Sequence, residues 1–338
     1  MAKILVTGSA GFIGSHLAHR LLDRGDQVIG VDNLTPYYDP ALKRARLARL
    51  EARDGYVHHH LDLADRDGVA ALFATAYATG VVHLAAQPGV RYGIDHPHAY
   101  VDSNLVGFLN VLEGCRAMKP DHLVFASTSS AYGANEALPF SPHDSAHHPL
   151  SLYAATKLAN EAMAHAYAHL FRVPTTGLRF FTVYGPWTRP DMALYKFALA
   201  ISAGQPIDVY GQGRMQRDFT YIDDIISGVV AALDHPAQVD LGWNATNPDP
   251  ATSGVAPWRI LNIAANKPEE LLRYIEVLGQ KLGRTPILNL MPMQAGDVVR
   301  TEADISDTRQ LLGYAPTTSI EVGIGKFVDW FVDYHGLE

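Results

Sequence analysis

With one cysteine, Cys115, in 338 residues, the chain can form no internal disulfide, and a reducing cytoplasm is the compartment this favours. No apolar run reaches the ~20 residues of a transmembrane helix, and the chain opens on a core-like strand rather than a charged leader. Neither a membrane nor a secretory route is expected. Positive charge is scarce too: 27 Lys and Arg stand against 35 Asp and Glu, and the longest basic cluster is Lys43-Arg-Ala-Arg46. Nucleic acid is therefore a poor partner, and the cluster reads as a solvated helix face. No internal repeat is visible. What remains is a 48% hydrophobic chain long enough for a large core, which excludes disorder and suggests two lobes.

Histidine is plentiful, 16 in all, and the run His58-His-His60 invites a metal. That run lies in Tyr56-Val-His-His-His-Leu61, a strand-like segment. Successive side chains of a strand point to opposite faces and cannot converge on one ion, so no metal site is assigned.

The N-terminus carries the first chemical signal. Lys3-Ile-Leu-Val-Thr7 reads as a short buried strand, and Gly8-Ser-Ala-Gly11-Phe12-Ile13-Gly14 leads from it into a helix. Three glycines at that spacing let the backbone approach a pyrophosphate while helix amides face the anion. A second strand, Gln27-Val-Ile-Gly-Val31, ends at Asp32, 18 residues beyond Gly14, where a carboxylate suits the ribose 2′-hydroxyl of NAD. Two like charges at ~4 Å and an effective dielectric of ~20 repel by about 4 kcal/mol, so the same residue disfavours the extra phosphate of NADP.

The second signal is Tyr153 and Lys157 in Ser151-Leu-Tyr-Ala-Ala-Thr-Lys157. Four residues apart on a helix, phenol and ammonium share one face. A phenol titrates near ~10, so ionising it near neutrality requires about 4 kcal/mol, and one ammonium at ~4 Å in a dielectric of ~20 supplies about that much. Alone the pair is weak evidence. Beside a dinucleotide loop it makes a proton-transfer site.

Strands and helices then alternate: a helix near Asp67–Thr75, a strand Val81-Val-His-Leu84-Ala85-Ala86, a helix over Tyr100–Met118 with Asn104, and a strand His122–Ala126 followed by Ser127-Thr128-Ser129-Ser130. After the helix of Tyr153 comes a strand, Thr175–Phe181. This order implies an α/β fold, a doubly wound parallel (Rossmann) sheet with ligands at the carboxyl ends of its strands. The NAD-binding domain is expected over residues 1–181 with 218–263 returning to it. Residues 182–217 and 264–338 are expected to form a smaller C-terminal α/β substrate-binding lobe. Further along the chain, Trp243–Trp258 reads as an exposed loop, Arg259–Ile263 as a strand, and Pro268–Leu282 and Phe327–His335 as helices. Arg189 offers a planar fork for a carboxylate and Thr182 a hydroxyl, both near the entry to the second lobe; Tyr184 fits either a core aromatic or a nicotinamide contact.

These residues resemble the extended short-chain dehydrogenase/reductase family over nearly the whole chain, through Gly8, Gly11, Gly14, Asp32, Asp62, Asn104, the Ser/Thr segment and Tyr153/Lys157. The stretches 31–38, 43–47, 180–187, 189–192 and 217–224 are similar to UDP-glucuronate 4-epimerases within it. The resemblance implies tightly held NAD, a UDP-sugar substrate, a homodimer, and C4 epimerisation of UDP-glucuronate to UDP-galacturonate through a transient 4-keto sugar. It assigns Tyr153 as base, Lys157 as its modulator and Thr128 as the O4 partner, with Ser129 and Ser130 beside it. Phe12, Ile13, Asn33, Asp62, Leu63, Leu84, Ala85, Ala86 and Asn104 are implied around the cofactor. Gln87, Pro88 and Arg91 are implied at the sugar, Arg217 and Arg300 at the phosphates and Asp297 near the ribose. Related dehydratases and decarboxylases carry carboxylates after the threonine, whereas Ser129 and Ser130 are uncharged, so elimination lacks its acid/base group. A neutral UDP-hexose or UDP-N-acetylhexosamine 4-epimerase, a UDP-glucuronate decarboxylase and a non-catalytic NAD-binding protein of the same fold stay as alternatives.

Overall fold

The structure, a computed structural model, describes residues 1–293 and 298–337. Twelve strands are present among them. In chain order these are β1 (Lys3–Thr7), β2 (Gln27–Asp32), β3 (Tyr56–His60), β4 (Gly80–His83), β5 (His122–Thr128), β6 (Thr175–Phe180), β7 (Thr182–Tyr184), β8 (Ile207–Val209), β9 (Gln216–Tyr221), β10 (Trp258–Ile263), β11 (Pro268–Glu270) and β12 (Leu288–Leu290). Seven form one sheet in the order β10-β6-β5-β4-β1-β2-β3, every pair parallel. Apolar side chains cover both of its faces in two clusters, as a parallel sheet flanked by helices requires. From β1 the chain builds outward to β2 and β3, then crosses back to β4 on the other side. A crevice therefore opens between the carboxyl ends of β1 and β4, the switch point where ligands of such sheets bind.

Two small sheets lie after β6. β7, β9 and β11 form one, and β8 pairs with β12 in the other. The long helix Leu152–Phe171 starts where it does because Ser151 caps it, accepting from the Ala154 amide at 3.1 Å. No helix of the described residues is long and apolar enough to cross a membrane.

Four sequence readings are corrected. The fourth strand stops at His83, and residues 84–86 run on as irregular backbone along the crevice. The helix expected from Pro268 begins at Leu271, because residues 268–270 pair with β9. The loop 243–258 is not simply exposed: Ala251, Ser253 and Ala256 are buried, and the Ala251 carbonyl accepts from Ile260. The Lys43–Arg46 cluster is no solvated face, since Lys43 and Arg46 are both buried. Helix Pro40–Glu51 turns Lys43, Arg46, Leu47 and Leu50 inward together.

Candidate active site

The crevice holds a cavity of about 610 Å³ that runs from Gly8 to Arg189. At its β1 end the chain is shaped by what glycine omits. Gly8 adopts φ +73, and a Cβ there would lie 2.8 Å from the Ala85 amide nitrogen; one on Gly14 would lie 2.0 Å from the Gly8 carbonyl oxygen. Only glycine lets this loop close so tightly. The Asp32 carboxylate then braces the loop from β2, accepting from the Ala10 amide at 3.2 Å and the Leu34 amide at 2.8 Å. Asn33 donates to Asp62 at 3.0 Å, which joins the ends of β2 and β3 at the cavity edge. A cradle free of Cβ atoms, with an acid at the next strand end, fits a dinucleotide diphosphate and its ribose.

Gly8, Gly11, Phe12, Ile13, Gly14, Asp32, Asn33, Asp62, Leu63, Leu84, Ala85, Ala86, Pro88, Arg91, Thr128, Ser129, Ser130, Tyr153, Lys157, Thr182 and Arg189 all line this one cavity. Asn104 does not. It lies buried in a π-helical stretch, Val101–Val106, bonding both the amide and carbonyl of Gln87 and the Thr156 hydroxyl, so it ties the loop after β4 to helix Leu152–Phe171. Arg217 and Arg300 also stand outside the lining. Arg217 donates to the carbonyls of Gln216 and Val299, and Arg300 pairs with Glu302 at 2.7 Å. Asp297 lies outside the described residues. Tyr184 is a core aromatic, packed edge-on against Phe219, Tyr221 and Tyr274.

Within the cavity, burial pushes the Tyr153 phenol up in pKa, and Arg189 and then Thr128 pull it back down. Lys157 is fully buried and donates to the Ala126 carbonyl at 2.9 Å. Arg189 is thus a second cation, besides Lys157, that lines the cavity with the phenol. Burial lowers Lys157 itself to about 8, against the opposing charge of Glu161 one turn further along. Thr128 at the end of β5 accepts from the Ser130 amide at 3.1 Å, which fixes its hydroxyl at the cavity wall.

Arg189 is held in turn. Its Nε and Nη2 fork onto Asp191 at 3.0 and 3.1 Å, and Asp191 also accepts from the Tyr37 hydroxyl at 3.2 Å. Just before it, Trp187 sits in the left-handed region with φ 62, a conformation costing a non-glycine residue roughly 1–2 kcal/mol. Its ring packs between Trp330 and the Arg49 guanidinium, the latter 4.6 Å from the ring centre. Tyr37, Lys43 and Asp191 also line the cavity, and Arg46, outside its lining, is buried with bonds to the Trp187 turn; the sequence reading assigns none of the four to the site. For Lys43 and Arg46 the signal was available, because they share helical phase with Leu47 and Leu50.

Fold and site together define a dinucleotide-dependent enzyme whose cavity also holds Tyr153, Lys157 and Arg189. The model of the NAD dependent epimerase/dehydratase family matches residues 4–245, and the chain belongs to that family. It is 49% identical over 332 residues, 97% of this chain and 96% of the other, to the probable UDP-glucuronate 4-epimerase of Rhizobium meliloti. A 46% identity extends over 99% of the chain and 77% of UDP-glucuronate 4-epimerase 1 of Arabidopsis thaliana. The UDP-glucuronic acid 4-epimerase of Bacillus cereus, solved with UDP-glucuronic acid and NAD, superposes with a TM-score of 0.86 at 34% identity, covering 98% of this chain and 99% of that one.

Proposed function

We infer that this chain catalyses NAD-dependent C4 epimerisation of UDP-glucuronate to UDP-galacturonate. The observation that carries this reading is the presence of Arg189 in the same cavity as Tyr153 and Thr128, close enough for its charge to act on the phenol. A neutral sugar needs no such cation. Similarity to the Rhizobium, Arabidopsis and Bacillus enzymes over nearly the whole chain supports the same substrate.

In this reading the glycine loop and Asp32 hold NAD, with Asn33, Asp62, Leu63 and residues 84–86 along its path and Lys157 at its reactive end. Bound NAD supplies reversible hydride acceptance at C4, with no net redox change. Tyr153 accepts the proton of the 4-hydroxyl and later returns it, while Thr128 hydrogen-bonds O4. Arg189 and Thr182 hold the sugar carboxylate. Fixing that group matters because a 4-keto uronate is a β-keto acid, and it loses CO2 when its carboxylate bond aligns with the carbonyl π system. Ser129 and Ser130 put no carboxylate beside Thr128, so elimination has no acid/base partner there.

Pro88 and Arg91 are assigned to the sugar end, and Arg217 and Arg300 to the phosphates, for which their side chains would have to turn toward the cavity. A homodimer is proposed through the helical stretches that carry Asn104 and Tyr153, Val101–Val106 with Gly107–Met118, and Leu152–Phe171, along which Val106, Leu170 and Phe171 are exposed. A cytoplasmic setting accords with the single cysteine.

The decisive assay incubates the purified protein with UDP-glucuronate and no added NAD. UDP-galacturonate without CO2 release is the expected outcome, with activity in Tyr153→Phe reduced about 10²–10⁴-fold. A UDP-pentose product, or turnover of neutral UDP-hexoses alone, would overturn the assignment.

A further inference from the structure

Arg46 is fully buried, and its hydrogen bonds go to neutral oxygens. Nε and Nη2 donate to the Trp187 carbonyl at 3.1 and 2.6 Å, and Nη2 donates also to Thr188 at 3.3 Å. Nη1 donates to the Ala10 carbonyl at 3.1 Å and the Tyr38 hydroxyl at 2.7 Å. These five bonds match the five N–H donors of a guanidinium. Two of the acceptors decide what the residue does. Ala10 belongs to the glycine loop, between Gly8 and Gly11. Trp187 is the left-handed residue two positions before Arg189, and its carbonyl takes two of the five bonds.

The same stretch of chain grips the Arg189 turn at two further points. Arg49, one position beyond the next half-turn of the helix, covers the Trp187 ring. Tyr37, just before the helix, donates to Asp191, the carboxylate that aims Arg189. Residues 37–49 are thus a strut whose end at Arg46 touches the cofactor loop and the carboxylate-binding turn at once.

We propose that Arg46 is a positioning residue for the epimerisation inferred above, setting the distance between the dinucleotide loop and the turn that carries Arg189. The proposal rests on that functional reading for its second half only. Arg46 touches no reacting atom. Through Ala10 it keeps the glycine loop closed, and through Trp187 it keeps Arg189 where a uronate carboxylate is held out of alignment with the 4-carbonyl. Its positive charge, buried next to that loop, also favours an anionic diphosphate.

The test compares wild type with Arg46→Met and Arg46→Lys by three readouts: NAD released on denaturing the purified protein, turnover of UDP-glucuronate with saturating NAD added back, and the fraction of turnovers that release CO2. Arg46→Met is expected to retain less than a tenth of the wild-type NAD and, once resupplied, to lose kcat about 10²-fold while its CO2 fraction rises. KM for UDP-glucuronate should rise less than kcat falls, because the ground-state contacts of the nucleotide are untouched. Arg46→Lys keeps the charge but has three donors in place of the planar fork, so it should hold more NAD than Arg46→Met yet still leak CO2. A resupplied Arg46→Met or Arg46→Lys that epimerises at the wild-type rate without CO2 would overturn the proposal, as would full NAD retention in both. If Arg46→Met does not fold, Arg46→Lys and Tyr38→Phe, which removes one acceptor, carry the decision. Should wild type not turn over UDP-glucuronate, the functional reading fails, and NAD retention still decides whether Arg46 closes the cofactor loop.

Discussion

Glu161 lies one helical turn beyond Lys157 and receives the guanidinium of Arg179 on both carboxylate oxygens, at 2.9 and 2.8 Å. Ser127 donates to the same carboxylate at 2.5 Å. Strand β5, strand β6 and helix Leu152–Phe171 are thereby pinned together beneath the cavity, and the same anion acts on Lys157 through its charge. Replacing Glu161 by Gln keeps the shape and removes the charge, leaving Arg179 buried without a counterion. The expected loss is about 3–5 kcal/mol of folding stability, read from the shift of a urea or guanidinium midpoint. A loss under about 1 kcal/mol, the size of an exposed pair, would show that the cluster is unimportant to the fold.

Lys157 makes the alkaline limb of the pH profile predictable. Burial lowers it to about 8, so its ammonium is present below that pH and is lost as pH rises through it. kcat/KM should decline above about pH 8. The unfolded lysine keeps its proton to ~10.4, so between the two values the unfolded chain binds more protons, and this group's contribution to stability grows with pH. Falling activity with no drop in melting temperature over that interval is the expected signature; a parallel drop in both would assign the limb to unfolding instead.

Gly14→Ala tests the cradle. The added methyl would lie 2.0 Å from the Gly8 carbonyl oxygen, a backbone atom that cannot step aside without opening the loop. NAD binding is expected to weaken at least tenfold, about 1.4 kcal/mol, as measured by calorimetry. Wild-type affinity in Gly14→Ala would mean that the diphosphate lies elsewhere.

Arg189→Met tests the clamp. Turnover of UDP-glucuronate is expected to fall about 10²-fold through misplacement of the sugar, and a larger share of the remaining turnovers should release CO2, followed with carboxyl-labelled substrate. The Tyr153 pKa should also rise, because the cation that offsets its burial has gone. Unchanged product partition would move the carboxylate contact to another residue.

Many of the residues that line the cavity were legible in the sequence. Gly8, Gly11, Gly14 and Asp32 are local in sequence and set by backbone sterics and charge, and Tyr153 and Lys157 follow from helical spacing, so a short window suffices for each. The bonds Asn104 makes to the Gln87 backbone and the Thr156 hydroxyl were not legible, because they join segments that meet only in the fold. Arg217 and Arg300 were named for phosphates, yet their bonds to neighbouring carbonyls and to Glu302 arise from the β9 edge, which no local pattern announces. The helix expected from Pro268 fails at its first turn for the same reason: pairing with β9 overrides local preference.

By itself, then, the sequence determined the alternation of strand and helix, the dinucleotide loop and the proton-transfer pair, since each depends on residues within a few positions of one another. What holds Arg189 beside Tyr153 in the cavity and why Arg46 is buried were decided only by the tertiary structure. Those answers need Tyr37, Arg46, Trp187 and Asp191 brought together from segments about 140 residues apart. The packing of helix Pro40–Glu51 against the Trp187 turn does this, and a guanidinium that looks like surface charge in the sequence becomes the buried link between two loops.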